Sequence, residues 1–277
     1  MDITIQAVVM GIVQGLTEFL PVSSSGHLII VPGLLGWDDP FITSLEFSVM
    51  LHLGTLVALL IYFRSDWLRL VPAGLAALRD RSIRDDPDRR LAWLIAAATI
   101  PAMIAGFLLN DIIEQHVRQI GFVALMLVLG GAILWLAERQ GRRDRTMAGL
   151  SFRTALGIGA AQAVALIPGI SRSGISISAG LFAGLDREAA ARFSFLMATP
   201  ITALAIAYET RKLVTGESGL AVPFPPLVLG MVAALVAGLL AIAALLRFLR
   251  SNPTDVFVAY RVLLAAVVVV AWLGLGR

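Results

Sequence analysis

Residues 14–27 read QGLTEFLPVSSSGH, and residues 162–174 read QAVALIPGISRSG. Each stretch carries an apolar helical pattern into a proline and then into a hydroxyl-rich turn ending in glycine. In each, the first glutamine stands twelve positions before that glycine. Gln14 and Glu18 are spaced i, i+4, so they share one helical face. Upstream, 3–20 has a helical pattern broken at Pro21. The apolar piece that follows, 28–35, is only about 12 Å long as a helix, too short to cross a bilayer. The second region breaks at Pro168-Gly169 and resumes at 175–185. Both are read as re-entrant hairpins, 3–35 and 154–185, each made of two half-helices meeting at a polar turn. Non-helical backbone at membrane depth is tolerated only where protein or a wet cavity surrounds it.

Composition places these hairpins in a membrane. Of 277 residues, 58% are hydrophobic and 15% charged, against about 45–50% and about 25% in ordinary soluble domains. Cysteine is absent, which removes disulfides, thiolate metal ligands and thiol nucleophiles. A bilayer core of about 30 Å needs about 20 apolar helical residues. Six segments qualify, near 45–63, 91–109, 120–137, 192–208, 227–246 and 256–273. The halves also match at Phe47-Ser48 with Phe193-Ser194, and at FVAL from Phe122 with FVAY from Phe257. The expected fold is an all-α integral membrane protein in one structural domain. Two repeats, 1–150 and 151–277, each hold one hairpin and three spans. Three spans are odd, so the second copy is inverted, a plan shared with secondary transporters.

Of the 22 basic residues, sixteen fall on one face, from Arg64, Arg69, Arg79, Arg81, Arg84, Arg89 and Arg90 through the 139–153 group to Arg187, Arg192, Arg247 and Arg250. Arg118, Arg211, Lys212 and Arg277 fall on the other. The positive-inside rule makes the first face cytoplasmic, with both termini and the first hairpin's mouth outside. Short basic blocks between apolar runs give no nucleic-acid stripe. The start has no basic n-region or cleavage site, so no removable signal peptide is expected. Arg172 and Arg261 remain within the apolar layer, and Arg261, near a span end, is read as snorkelling to the interface.

A mid-membrane charge costs about 2.5–3.5 kcal/mol on insertion scales, so Glu18 and Arg172 need a local reason. One reading pairs them to pin the two halves together. The other makes the turns an anion cradle with Glu18 held apart. Ser23, Ser24, Ser25 and Gly26 precede one half-helix, and Ser171, Arg172, Ser173 and Gly174 precede another. Unpaired N–H groups and the positive dipole end at both favour phosphate. Arg172 adds a donor fork. Ser24 and His27, three residues apart, supply a nucleophile and base within possible reach. Glu18 with Gln14 could hold a divalent cation only if phosphates completed its shell. His52, alone inside a span, is read as structural.

QGLTEFLPVSSSGH and PGISRSG, together with FSFLMATP at Phe193 and the Tyr260-Arg261 pair, closely resemble the bacterial undecaprenyl-diphosphatase (bacitracin-resistance) family along nearly the whole chain. The resemblance implies a phosphatase of the cell inner membrane. It would convert the C55 isoprenyl diphosphate to the monophosphate carrier lipid for peptidoglycan and other envelope polymers, at a site open to the outer face. It implies roles for Glu18, Ser24 and His27 as motif carboxylate, nucleophile and base, for Arg172 as the phosphate-binding arginine, and dependence on Mg²⁺ or Ca²⁺. Gln14 stands where some members carry Glu, which removes one potential metal ligand. Whether Ser24 or His27 attacks phosphorus stays open. The rival reading is a lipid-phosphate flippase, and a scaffold without chemistry is a third. Partners are the lipid substrate and the surrounding membrane lipids. Gly130-Gly131 and the Gly157/Gly159 pair permit close packing within one chain or in a homodimer.

Overall fold

The computed structural model describes residues 1–83, 86–116, 119–215 and 223–274, without the side chains of 110–116, 209 and 212–215. The expected positions Arg84, Arg118 and Arg277 and the Lys212 side chain lie outside these. The described residues are helical, with no strand among them beyond a single bridge between Arg145 and Leu185. In chain order the helices are α1 (Ile3–Phe19), α2 (Ser24–Leu35), α3 (Leu45–Tyr62), α4 (Arg64–Asp80), α5 (Pro87–His116), α6 (Ile120–Gln140), α7 (Phe152–Ala163), α8 (Arg172–Phe182), α9 (Arg187–Thr215), α10 (Phe224–Leu249) and α11 (Asp255–Gly274). Among the described residues, six stretches are long and apolar enough to cross a membrane: Leu45–Tyr62, Pro87–Leu109, Ile120–Gln140, Arg187–Tyr208, Phe224–Leu249 and Asp255–Gly274. These coincide with the six segments read from hydropathy, and the chain is a multi-pass helical membrane protein.

The breaks after Leu20 and Ile167 fall where proline and glycine place them, but the serines sit differently from the expectation. The helices begin earlier, at Ser24 and at Arg172, so Ser24, Ser25, Gly26 and Ser173 belong to first turns and do not precede them. Ser23 and Ser171 are the N-caps, both with left-handed φ, 74° and 76°. Each hydroxyl accepts from the N–H three residues on, Gly26 at 3.3 Å and Gly174 at 3.1 Å. Capping by a serine oxygen satisfies one of the N–H groups a helix start leaves open.

Helix α4 has no counterpart among the expected spans, because its charges interrupt its apolar periodicity. Leu68, Val71, Leu75 and Leu78 are exposed at helical spacing on one face, while Arg69 pairs with Asp66 at 3.1 Å and Asp88 at 2.9 Å. Ion pairs from Arg192 to Asp66 (3.1 Å), Arg250 to Glu188 (2.9 Å) and Arg139 to Asp255 (2.9 Å) tie neighbouring helix ends together. Buried Glu138 receives Arg143 at 2.6 Å, Arg187, and the Thr254 hydroxyl at 3.0 Å.

Helix α1 lies along α10 through small residues. A Cβ on Gly15 would stand 2.5 Å from the Ala234 carbonyl oxygen and 2.8 Å from the Gly238 nitrogen. Backbone cannot yield as a side chain does, so Gly15→Val is expected to force α1 off α10. The melting temperature in detergent should fall by an amount equivalent to about 1–3 kcal/mol.

Candidate active site

The polar turns meet because buried donors hold them. Ser173 Oγ donates to the Leu20 carbonyl at 3.0 Å, joining the second turn to the first. Arg261 does the rest. It is 0% exposed, so the expected snorkelling does not occur. Its Nη1 donates to the carbonyls of Pro21 (3.2 Å) and Ile170 (3.1 Å), and its Nη2 to those of Gly169 (2.8 Å), Ile170 (3.0 Å) and Met126 (3.3 Å). Nε donates to Leu127 at 2.8 Å. Turn carbonyls have no helical partners, and a planar fork of five N–H donors matches several at once. Gly130 keeps this fork's place open, since a Cβ there would strike the Arg261 guanidinium and lie 2.7 Å from the Ile170 oxygen.

Beside the joined turns, a cavity of about 200 Å³ is lined by Glu18, Ser24, Ser25, His52, Gln162 and Arg172, with apolar walls that include Ala102, Leu166 and Ile201. Glu18 is its hub. One carboxylate oxygen pairs with Arg172 Nη2, 154 residues away. The other accepts from Ser24 Oγ at 2.6 Å and Gln14 Nε2 at 3.0 Å, and lies 3.4 Å from His52 Nε2. Glu18 is therefore not held apart from Arg172. The second Arg172 nitrogen, Nη1, donates to Thr202 Oγ1 at 2.6 Å, which fixes the guanidinium plane.

His27 is elsewhere. Its Nδ1 lies 2.7 Å from the Ser23 carbonyl and its Nε2 2.7 Å from the Tyr260 hydroxyl. The rings stack with 9° between their planes. A carbonyl only accepts, so Nδ1 carries the proton, and the neutral ring's Nε2 accepts from Tyr260. Neither nitrogen engages Ser24 or Glu18, so the expected Ser24–His27 contact is not made. Residues three apart on α2 are neighbours, so spacing allows the contact, but the Ser23 carbonyl and the Tyr260 hydroxyl hold both ring nitrogens instead.

The remaining candidates divide. Ser25 lines the cavity, its Oγ 3.3 Å from that of Ser23. Ser23, Gly26, Ser171 and Gly174 form the two caps, and Ser171 Oγ is 3.2 Å from Ser173 Oγ. Their hydroxyls are engaged in shaping the turns. His52 is the reverse case, because the structure brings it to Glu18. Its sequence signal is a polar stripe, Ser48, His52 and Thr55, at i, i+4 and i+7 on one face of an apolar span. Among the described residues, no three His, Asp or Glu side chains converge as a metal centre.

A family profile described as "Bacitracin resistance protein BacA" matches residues 7–267. A protein of Thermomicrobium roseum named undecaprenyl-diphosphatase is 47% identical over 95% of both chains. Proteins of the same name from Gemmatimonas aurantiaca, 46% identical over 95% of this chain and 96% of the relative, and Desulforudis audaxviator, 44% identical over 96% of each, are similar along the same length.

Proposed function

Because the chain belongs to the bacitracin-resistance BacA family, we propose that it is an undecaprenyl-diphosphatase, cleaving the terminal phosphate from a C55 isoprenyl diphosphate to leave the monophosphate carrier lipid and inorganic phosphate. The observation that carries this is the short Ser24–Glu18 hydrogen bond at the cavity, a hydroxyl nucleophile already donating to a base. Ser24 Oγ attacks the terminal phosphorus as its proton passes to Glu18. The anhydride P–O bond breaks, the lipid monophosphate departs, and water then cleaves the seryl phosphate. Glu18 takes the base role that the resemblance gave to His27, since both His27 nitrogens are engaged. His27 instead supports the Ser23 turn. The Arg172 fork and the first-turn N–H groups of α2 and α8 take up charge on the phosphates. Arg172 exchanges part of its pairing with Glu18 for phosphate oxygen, which frees the carboxylate to accept the serine proton.

Arg172→Lys keeps the charge but loses the bond to Thr202 that orients the fork. Turnover is expected to fall about 10²-fold, the scale of a misplaced positioning group, measured as phosphate release under saturating substrate.

The resemblance implies Mg²⁺ or Ca²⁺, but the protein's own donors do not fit a resident ion. The Glu18 oxygens are shared among Arg172, Ser24 and Gln14, and the Gln14 Oε1 on the neighbouring turn is buried without a partner. Any cation dependence is therefore assigned to an ion that arrives with the diphosphate oxygens.

The proposed architecture is two inverted repeats, 1–150 and 151–277, with re-entrant hairpins 3–35 and 154–185. The matched left-handed caps at Ser23 and Ser171 and the twin buried glutamines, Gln14 and Gln162, support it. With the arginine-rich ends in the cytoplasm, the termini and the cavity mouth face outward from a bacterial inner membrane. A flippase needs no nucleophile, and the Ser24–Glu18 bond favours hydrolysis over it.

The test is phosphate release by the pure protein in detergent from C15 and C55 diphosphates, with and without chelator. Release from either substrate is expected. No release under any condition, with lipid transfer between leaflets retained in vesicles, would overturn the proposal in favour of flipping.

A further inference from the structure

Gln162 presents a problem that the hydrolytic site as described does not resolve. It stands near the end of α7, is 3% exposed, and borders the cavity. Both its amide atoms, Oε1 and Nε2, are buried without a hydrogen-bond partner. Its counterpart in the first half, Gln14, spends its Nε2 on Glu18. The cavity it borders has apolar lining from Ala165 and Leu166, which follow it in the chain, and from Ala102 and Ile201 of other helices. A buried amide with neither donor nor acceptor met is strongly unfavourable and rare in native proteins. Leucine or methionine would fill the same volume without that penalty.

We infer that Gln162 is a binding residue for the phosphate-bearing end of the substrate, resting on the hydrolytic reading above. A hydrated diphosphate answers both amide atoms. Its non-bridging oxygens accept from the Nε2 hydrogens, and water carried by the head group donates to Oε1. Arg172, Ser24 and Ser25 lie on the same cavity, so the amide grips the head group from the wall formed by the second half while the serines hold it from the first. The isoprenyl tail offers neither donor nor acceptor and gains nothing there. Gln162 thus orients the lipid, phosphate end inward.

The pairing of a stability gain with a binding loss makes this testable. Gln162→Leu removes the unmet amide, so the substrate-free protein in detergent is expected to melt at a higher temperature than wild type. The same variant should raise KM for the C15 diphosphate at least tenfold, about 1.4 kcal/mol of binding, with kcat changed far less. Thermal stabilisation by added inorganic pyrophosphate should shrink in parallel. Gln162→Glu, of matching shape but repelling phosphate, should raise KM further. An unchanged KM in Gln162→Leu overturns the inference, as does a melting temperature that falls together with activity, the mark of a packing role. If wild type releases no phosphate yet pyrophosphate stabilises it and not Gln162→Leu, the hydrolytic reading fails while the binding role stands.

Discussion

Ser24→Ala is expected to reduce phosphate release on the order of 10³-fold or more, with the melting temperature in detergent nearly unchanged. The hydroxyl donates to Glu18, 2.6 Å away, and that carboxylate keeps Arg172 and Gln14 when the hydroxyl is removed. The fold therefore loses little, while the reaction loses its attacking atom. Glu18→Gln should lose activity by about 10²–10⁴-fold, the range for a positioned general base. Serine and carboxylate act as one unit, so the double variant should be about as inactive as the worse single one. Losses that multiplied instead would show that the two groups work independently. Ser24→Ala with near wild-type release would remove serine as nucleophile. A phosphorylated Ser24 trapped by rapid quench and absent from Ser24→Ala would identify the acceptor directly.

Replacing Arg261 by Leu is expected to prevent accumulation of folded protein. The carbonyls of Met126 and Leu127 lie within α6 and retain helical partners, but those of Pro21, Gly169 and Ile170 lie in the turns and would be buried without donors. At about 1–3 kcal/mol for each unmet group, the loss is comparable with the whole net stability of about 5–15 kcal/mol of a folded protein. The measurement is yield of monodisperse protein after detergent extraction. Gly130→Ala provides a milder second route, because its methyl group displaces the fork without removing it. That variant should fold with a lowered melting temperature and lose activity out of proportion to its stability, since both turns shift relative to Glu18. A stable, active Arg261→Leu would mean that the turns hold themselves.

The spans were legible because crossing hydrocarbon is a matter of length and composition, which the chain states in order from Leu45–Tyr62 to Asp255–Gly274. The turns were legible because proline and glycine interrupt helices locally. Glu18 and Arg172 stood out because isolated charges are costly in an apolar layer. The sequence offered the Glu18–Arg172 pair as one of two readings, but it could not choose between them or name the other partners, since a side chain's neighbours are set by packing between distant segments. Glu18 meets Arg172 across 154 positions, His27 meets Tyr260 across 233, and Arg261 meets Pro21 across 240. A three-residue spacing suggested that His27 serves Ser24, yet the Ser23 carbonyl and Tyr260 on α11 take up both imidazole nitrogens. His52 gave the opposite outcome, a histidine read as structural that packing carried to within 3.4 Å of Glu18. Local physics along the chain determined the spans, the breaks and which charges needed explaining. Only the tertiary structure decided which base faces the serine and which arginine holds the turns, because those choices depend on where helices far apart in sequence come to lie against one another.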